Sequence, residues 1–153
     1  MSADLASGLA EAIEDLLKGD SFFIGPPAVS VLREDDGNFQ SAVEQAIDRI
    51  TAGGLLVTIQ EPKPVTPPNS YEEALELTLT IGEKFTLNRT ETGRQKSLRD
   101  CLAVIDGLLH QQWVLEPWGP LQRGETTFDD ALDGGRVCRV TFTTTTLKRR
   151  SVA

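Results

Sequence analysis

The clearest structural signal in this sequence is the run Leu-Glu-Leu-Thr-Leu-Thr-Ile at residues 75–81. Apolar side chains occupy every second position, and polar side chains lie between them. Because successive residues of a strand point to opposite faces of a sheet, the run predicts a strand with one buried and one solvated face. Such strands are typical of antiparallel sheets. The pattern allows the strand to continue to Phe85 and Leu87, with Gly82 as a bulge.

Other strand candidates lie on both sides of this run. The segment 113–121 leaves a helix, and Pro117 and Pro120 limit its pairing. Residues 129–135 are rich in Asp and Gly and predict a turn before the last strand. The candidate strands are residues 28–32, 55–59, 113–121, 125–128 and 136–147.

Two segments in the first third of the chain have the spacing of amphipathic helices. Residues 5–17 repeat Leu and Ile at intervals of three and four, and Gly19 ends this helix. Residues 39–50 place four apolar side chains on one face. Asn38 is the candidate N-cap of this second helix, and Gly53-Gly54 is expected to end it with left-handed conformations.

A third helix is predicted to start at Thr90 or Thr92 and to end at His110. Its apolar stripe is wide, which indicates a helix well covered by other elements. Together, the segments predict one α+β domain over residues 1–153. We expect a mostly antiparallel sheet of about four to five strands with three helices packed on it.

Residues 61–70 contain four of the eight prolines. Proline lacks the backbone N–H that a central strand needs, so the segment is predicted to be a long, stiff loop. Surface loops often carry contacts. The prolines are Pro62, Pro64, Pro67 and Pro68.

Composition limits the class of protein. The chain has 153 residues, of which 39% are hydrophobic and 25% charged, so neither a disordered nor a membrane protein is expected. Residues 1–4 lack the basic start and apolar stretch of a signal peptide, so the expected compartment is a cytoplasm. The net charge of −8 disfavours tight binding to nucleic acid, but it is compatible with a protein that surrounds DNA without binding it. The basic cluster Lys148-Arg149-Arg150 is interpreted as a solvated tail or as an anchor for an acidic surface.

Nucleophiles and bases are few. Cys101 and Cys138 lie among apolar neighbours and are interpreted as buried free thiols, with a disulfide left open as the alternative. The single histidine, His110, is placed at a helix end, where a charged ring suits the helix dipole. No serine-nucleophile elbow accompanies it. Cys101 lies nine positions before His110 on the same helix, too far for direct contact.

Carboxylates are plentiful but fall on predicted wet faces or in turns. Asp129-Asp130 with Asp133 forms an acidic turn, and turn formation is the favoured interpretation over a weak cation site. The pairs Glu72-Glu73, Asp35-Asp36 and Glu14-Asp15 have no recognisable catalytic spacing. The sequence therefore predicts no catalytic residue, no metal site and no cofactor.

The order of elements resembles the tail-terminator and tail-completion (minor tail) proteins of long-tailed bacteriophages, including prophage-encoded ones. Prophage proteins of this kind similarly pair a Leu-Asn-Arg-Thr junction with a helix ending in Leu-Leu-His. The predicted helix at 39–50 departs from the smallest members. The matching features are the opening helix from Leu5 to Ile13, the strand 55–59 with its following loop, the strand 75–81 leading through residues 85–90 into the helix 97–110, and the last strand ending at residues 140–144.

The resemblance implies a non-enzymatic structural protein. Its copies would form a ring, often of six, that caps the tail tube and joins it to the head-completion proteins. DNA would pass through the lumen, and no membrane would be involved. The protein would lie in the host cytoplasm during assembly and then in the virion tail.

Stiff loops and aromatic side chains are the expected contact residues of such a ring. For the two tryptophans, local core packing is the alternative. The candidate interface residues are Pro64, Pro67, Trp113, Trp118 and Phe128.

Three other functions remain open from the sequence. One is a different virion or secretion-tube component with the same fold. The second is a small cytoplasmic enzyme with an unrecognised carboxylate-lined site, and the third is a stand-alone binding or regulatory domain. Oligomeric state separates the two assembly functions from the other two.

Overall fold

The computed structural model describes residues 3–25, 28–34, 54–84, 96–131 and 135–147. These residues form an α+β fold, as the sequence predicts. The helices are α1 (Ala3–Lys18), α2 (Ser21–Ile24) and α3 (Leu98–Leu109). The strands are β1 (Ser30–Arg33), β2 (Leu55–Ile59), β3 (Lys63–Val65), β4 (Glu72–Lys84), β5 (Gln122–Ala131) and β6 (Gly135–Leu147).

The described strands form one mixed sheet in the order β1-β2-β4-β6-β5, and β3 pairs with β4 beyond this path. β1 and β2 are parallel, whereas the other described pairs are antiparallel. The sheet therefore has six strands where four to five were expected. The parallel pair was not predicted, because it depends on the connection between β1 and β2. The helix predicted at 39–50 falls in that connection, outside the described residues.

β4 is the central strand, and its alternating pattern is confirmed. It pairs with β6 along its whole length, with Leu77 opposite Phe142. Gly82 stays in register with Leu56 and Val137, so the predicted bulge at Gly82 is wrong. The register shift lies instead in β5, between Arg123 and Thr126. The proposed extension to Phe85 and Leu87 lies outside the described residues.

Three loop and strand predictions need correction. Residues 63–65 form β3, although the proline segment was predicted to be a loop. Pro64 is tolerated there because β3 is an edge strand, where the missing backbone N–H does not interrupt the hydrogen bonds between central strands. Residues 113–121 form turns, with only one isolated bridge between His110 and Leu121. β5 runs on to Ala131 and β6 begins at Gly135, so both ends of the predicted turn at 129–135 are strand. The residues between them, Asp133 among them, lie outside the described residues.

The helix ends follow local capping chemistry. α1 ends at Lys18, just before Gly19 as predicted, and Asp20 caps α2 by accepting the backbone N–H of Phe22 at 2.9 Å. The short helix α2 was not predicted. α3 begins at Leu98 and not at Thr90 or Thr92, which are not described, because Ser97 accepts the N–H of Asp100 at 3.0 Å. Gly54 adopts the left-handed conformation expected for it, with φ of 67°.

α1 and α3 lie in contact with each other against the apolar face of the sheet. Their buried side chains pack against the buried side chains of β4 and β6. Burial of each large hydrophobic side chain stabilises the fold by roughly 1.5–3 kcal/mol. The Lys96 ammonium donates to the carbonyls of Phe22 and Gly25, which ties the end of α2 to the start of α3. The two helices thus form one layer, and in the described part of the chain the opposite face of the sheet carries mainly polar side chains. The core includes Leu9, Ile13, Leu17, Leu75, Leu77, Leu79, Ile81, Cys101, Ile105, Trp118, Cys138, Val140 and Phe142.

Candidate functional site

A groove between α1 and the end of α3 is the most distinctive surface feature of the described residues. Its volume is about 660 Å³. We call it the Trp113 groove, after the tryptophan that is 71% exposed in its lining. Leu16, on α1, is 38% exposed beside it. The lining residues are Ala12, Asp15, Leu16, Gly107, Leu108, Gln112, Trp113 and Val114.

A tight reversal after α3 places Trp113 in this groove. Gln111 adopts a left-handed conformation with φ of 59°, which is uncommon for a residue other than glycine. Its N–H donates to the carbonyl of Leu121 at 2.6 Å, and the N–H of Leu121 donates back to Gln112 at 3.1 Å. The two bonds hold the turn, so Trp113 projects from a defined backbone.

Small residues on α1 make room for the groove. Gly8 and Ala12 are one helical turn apart, and a Cβ at Gly8 would lie 3.6 Å from Leu115. The segment after Trp113 therefore packs closely on α1 near Gly8, while the space beside Ala12 stays open. Sequence reasoning missed this feature. The four-residue spacing of Gly8 and Ala12 beside the leucine stripe was the available signal.

One acidic side chain, that of Asp15, lines the α1 side of the groove. Glu11 and Asp15 are both exposed and lie one turn apart, and neither makes an ion pair with a described residue. Glu14, by contrast, lies 3.6 Å from Lys18 and 3.5 Å from Arg33. Like charges four residues apart on a helix repel each other. The groove thus combines apolar surface with the carboxylate of Asp15, and a second carboxylate, that of Glu11, lies one turn away on α1.

Trp118, the second predicted anchor, is 0% exposed. Its backbone N–H donates to the carbonyl of Leu115 at 3.0 Å. The Thr144 hydroxyl donates to the next carbonyl, that of Gly119, at 2.9 Å. Trp118 is therefore a core residue, which was the alternative for it, and it offers no surface for a partner in this structure.

The other three candidate interface residues are not brought together. Pro64 is exposed on β3, and Pro67 is half-buried just after it. Phe128 is 48% exposed on β5, at the other edge of the sheet. The structure therefore places the exposed and half-buried contact candidates at three separate locations, of which the Trp113 groove is one.

The sheet face opposite the helices carries rows of threonines, which we call the threonine face: Thr58, Thr78, Thr80, Thr141 and Thr143. Thr78 pairs directly with Thr141, and Thr58 with Thr80. A shallow depression of about 400 Å³ on this face also includes Gln60, Glu125 and Arg139. Arg139 is held by Asp129, with 2.7 Å between Nη1 and Oδ2. The face is polar, and its threonines are half-buried.

The residues with possible chemistry have structural partners. Cys101 and Cys138 are buried and free, as predicted, and burial raises the pKa of both thiols. His110 caps α3, and its Nδ1 accepts the backbone N–H of Arg123 at 3.1 Å. The Arg123 guanidinium lies 3.3 Å from Asp106. These contacts join α3 to β5.

The acidic pairs named from the sequence do not converge on a described metal site. Within the described ranges, no group of three His, Cys, Asp or Glu side chains could hold a metal ion. Asp129 is bound to Arg139 on β6. Glu72 and Glu73 lie at the start of β4. Asp35-Asp36 and Lys148-Arg149-Arg150 lie outside the described residues.

Comparison with known proteins gives no assignment: neither a family model nor a curated protein matches this chain. Among the described helices, none is long and apolar enough to cross a membrane.

Proposed function

We propose that this chain is a structural subunit of a bacteriophage tail, which forms a ring that terminates the tail tube and joins it to the head. The observation that carries the proposal is the presence of two different candidate contact surfaces. The Trp113 groove lies on the helix layer, and the threonine face lies on the other side of the sheet.

A closed ring needs contacts between unlike surfaces, because each copy must bind one neighbour on each side. The Trp113 groove suits such a contact, since an exposed aromatic side chain in an apolar pocket is a typical binding anchor. The threonine face is a separate surface, available for the tail tube or the head connector. Its uncharged hydroxyl side chains cost less to desolvate than charged ones would.

The acidic chain suits the passage of DNA through a ring. The net charge is −8. A surface of the same sign as the phosphate backbone keeps DNA from adhering. Free passage through the lumen is the property that a terminator requires.

The oligomeric state tests this function. Sedimentation or light scattering from micromolar to millimolar concentration should show a particle of more than two subunits with a uniform mass. Negative-stain images should then show annuli of one diameter. A chain that stays monomeric, or that stops at a two-fold dimer over the whole range, contradicts the ring.

A further inference from the structure

The proline-rich segment exposes a positive charge and proline rings at one edge of the sheet. We call residues 63–68, which include β3, the proline loop. Lys63 and Pro64 are exposed on β3, and Pro68 is exposed after it. Lys63 makes no ion pair with a described residue, although Glu76 lies opposite it in the register. Because prolines restrict the backbone, the loop loses little conformational entropy when it binds a partner.

The Trp113 groove has the chemistry that receives such a segment. Its α3 wall carries Leu108 and the exposed Trp113, and its α1 wall carries Leu16 and the carboxylate of Asp15. No described basic side chain lines it. Proline-rich segments dock in aromatic-lined grooves, because they are already extended before they bind. A carboxylate in such a groove adds selectivity for a segment that also carries a positive charge.

We propose that the proline loop of one copy docks in the Trp113 groove of a second copy. The Pro64 ring packs against Trp113, and the Lys63 ammonium pairs with Asp15. The inference rests on the proposed function, because it names the contact between neighbouring subunits of the ring.

Strand geometry lets both contacts form at once. Successive residues of a strand point to opposite faces, so Lys63 and Pro64 project from opposite sides of β3. The register agrees, since Pro64 lies opposite the buried Leu75 and Lys63 lies opposite the half-buried Glu76. A strand edge that enters a groove between two helices presents one side chain to each wall, here the proline to α3 and the lysine to α1. The groove volume of about 660 Å³ has room for several side chains.

The pairing of β3 favours a second copy as the source of the loop. β3 is held in the sheet by residues 74–76 of β4, and no residue of the proline loop lines the groove of its own chain. Docking in its own groove would require β3 to leave the sheet, at the cost of these backbone hydrogen bonds. A loop from another copy keeps the pairing intact.

The contact also joins two surfaces that lie apart on one copy. The proline loop is at the sheet edge, whereas the groove lies between α1 and the end of α3. A contact between unlike surfaces leaves each copy with one free loop and one free groove. Repetition of the contact around an axis therefore closes into a ring.

Mixing two variants of the full chain tests the proposal. The groove variant carries D15N and W113A, and the loop variant carries K63Q and P64A. Each alone should stay monomeric at a concentration where the unaltered chain assembles. An equimolar mixture should give a particle of twice the monomer mass, because the groove variant keeps its loop and the loop variant keeps its groove. R99Q, which removes an exposed positive charge from α3, is the matched control for K63Q and should assemble normally.

Two results of this experiment overturn the proposal. One is a mixture that stays monomeric while the unaltered chain assembles, which is also the result expected if each loop docks in its own groove. The other is a loop variant that assembles like the unaltered chain, which would mean that another segment fills the groove. The altered side chains are all exposed, so the circular dichroism spectra of both variants should match that of the unaltered chain.

A peptide of residues 61–70 tests the contact without requiring a ring. Added to the loop variant, it should shift Trp113 emission to shorter wavelength, while the buried Trp118 contributes a constant signal. The shift should vanish in a loop variant that also carries W113F. Replacing Lys63 of the peptide by Gln should weaken binding by up to about fivefold, and replacing Pro64 by Ala should weaken it further. A peptide that causes no shift at millimolar concentration overturns the contact.

The two proposals fail separately. Peptide binding to a chain that forms no ring contradicts the proposed function alone. A ring whose subunits do not bind the peptide overturns the loop contact alone.

Discussion

At the scale of single residues, Cys101 shows how burial controls chemistry. Burial in the core raises the pKa of its thiol from the usual 9.0 to about 12. A thiol of this kind stays protonated at neutral pH and is a poor nucleophile. Its contribution is to packing, and it also makes the stability of the fold depend on pH.

The pH dependence has a definite sign. Between pH 9 and 12 the unfolded chain releases the Cys101 proton while the folded protein retains it. The unfolded state then binds fewer protons, so the free energy of unfolding falls as pH rises. This thiol contributes a slope of at most about 1.4 kcal/mol per pH unit.

Replacing Cys101 with Ala should therefore flatten the alkaline part of the stability curve. Urea unfolding of both proteins from pH 7 to pH 10.5 measures the two slopes. Below pH 8 the two curves should run parallel, because the thiol is protonated in both states, with the variant lower owing to its cavity. Equal slopes above pH 9 would show that the thiol titrates normally in the fold.

For the two tryptophans, the sequence did not predict which one is buried and which one is exposed. Trp113 and Trp118 lie five positions apart, and the sequence allowed both to be core or interface residues. The turn held by Gln111 directs Trp113 outward, whereas the bonds to Leu115 and from Thr144 to Gly119 fix the backbone around a buried Trp118. Neither contact is visible in local spacing.

At the scale of elements, β4 was predictable and β3 was not. Apolar and polar residues alternate strictly at positions 75–81, which indicates directly which face of β4 is buried and which is solvated. β3 is only three residues long and contains a proline, so local pattern argues against it. It exists because β4 extends beyond β2 and leaves an edge at residues 74–76 to which it pairs.

Replacing Pro64 with Gly tests whether β3 is stiffened by its proline. Glycine increases the entropy of the unfolded chain and should lower stability by about 1 kcal/mol. For a chain of this length the melting temperature should fall by roughly 2–4 °C. Pro64→Ala should lie between the two, and circular dichroism melting compares all three. An unchanged melting temperature for P64G would mean that the proline does not stabilise β3.

At the scale of the whole molecule, one core joins the helices to the sheet. α1, α3 and the buried faces of β4 and β6 share a single cluster, so no part of the described fold has a separate hydrophobic interior. His110 and Asp106 further join α3 to β5 through Arg123.

The shared core predicts one cooperative unfolding transition. In a W113F variant, emission from the buried Trp118 should change at the same temperature as the circular dichroism signal. The unfolding enthalpy should be on the order of 100 kcal/mol near 60 °C. The measurement belongs at low protein concentration, where dissociation of the proposed ring does not contribute. Two separated transitions would show that the helix layer and the sheet unfold independently.

The sequence by itself determined the α+β class, the central strand β4, the apolar faces of α1 and α3, and the burial of both thiols. These features depend on the periodicity of neighbouring residues, which every stretch of chain carries within itself. Tertiary structure alone decided the parallel pairing of β1 with β2, the strand β3, the exposure of Trp113 and burial of Trp118, and the groove between α1 and the end of α3. Each of these depends on contacts between residues distant along the chain, and local spacing does not encode which distant surfaces meet.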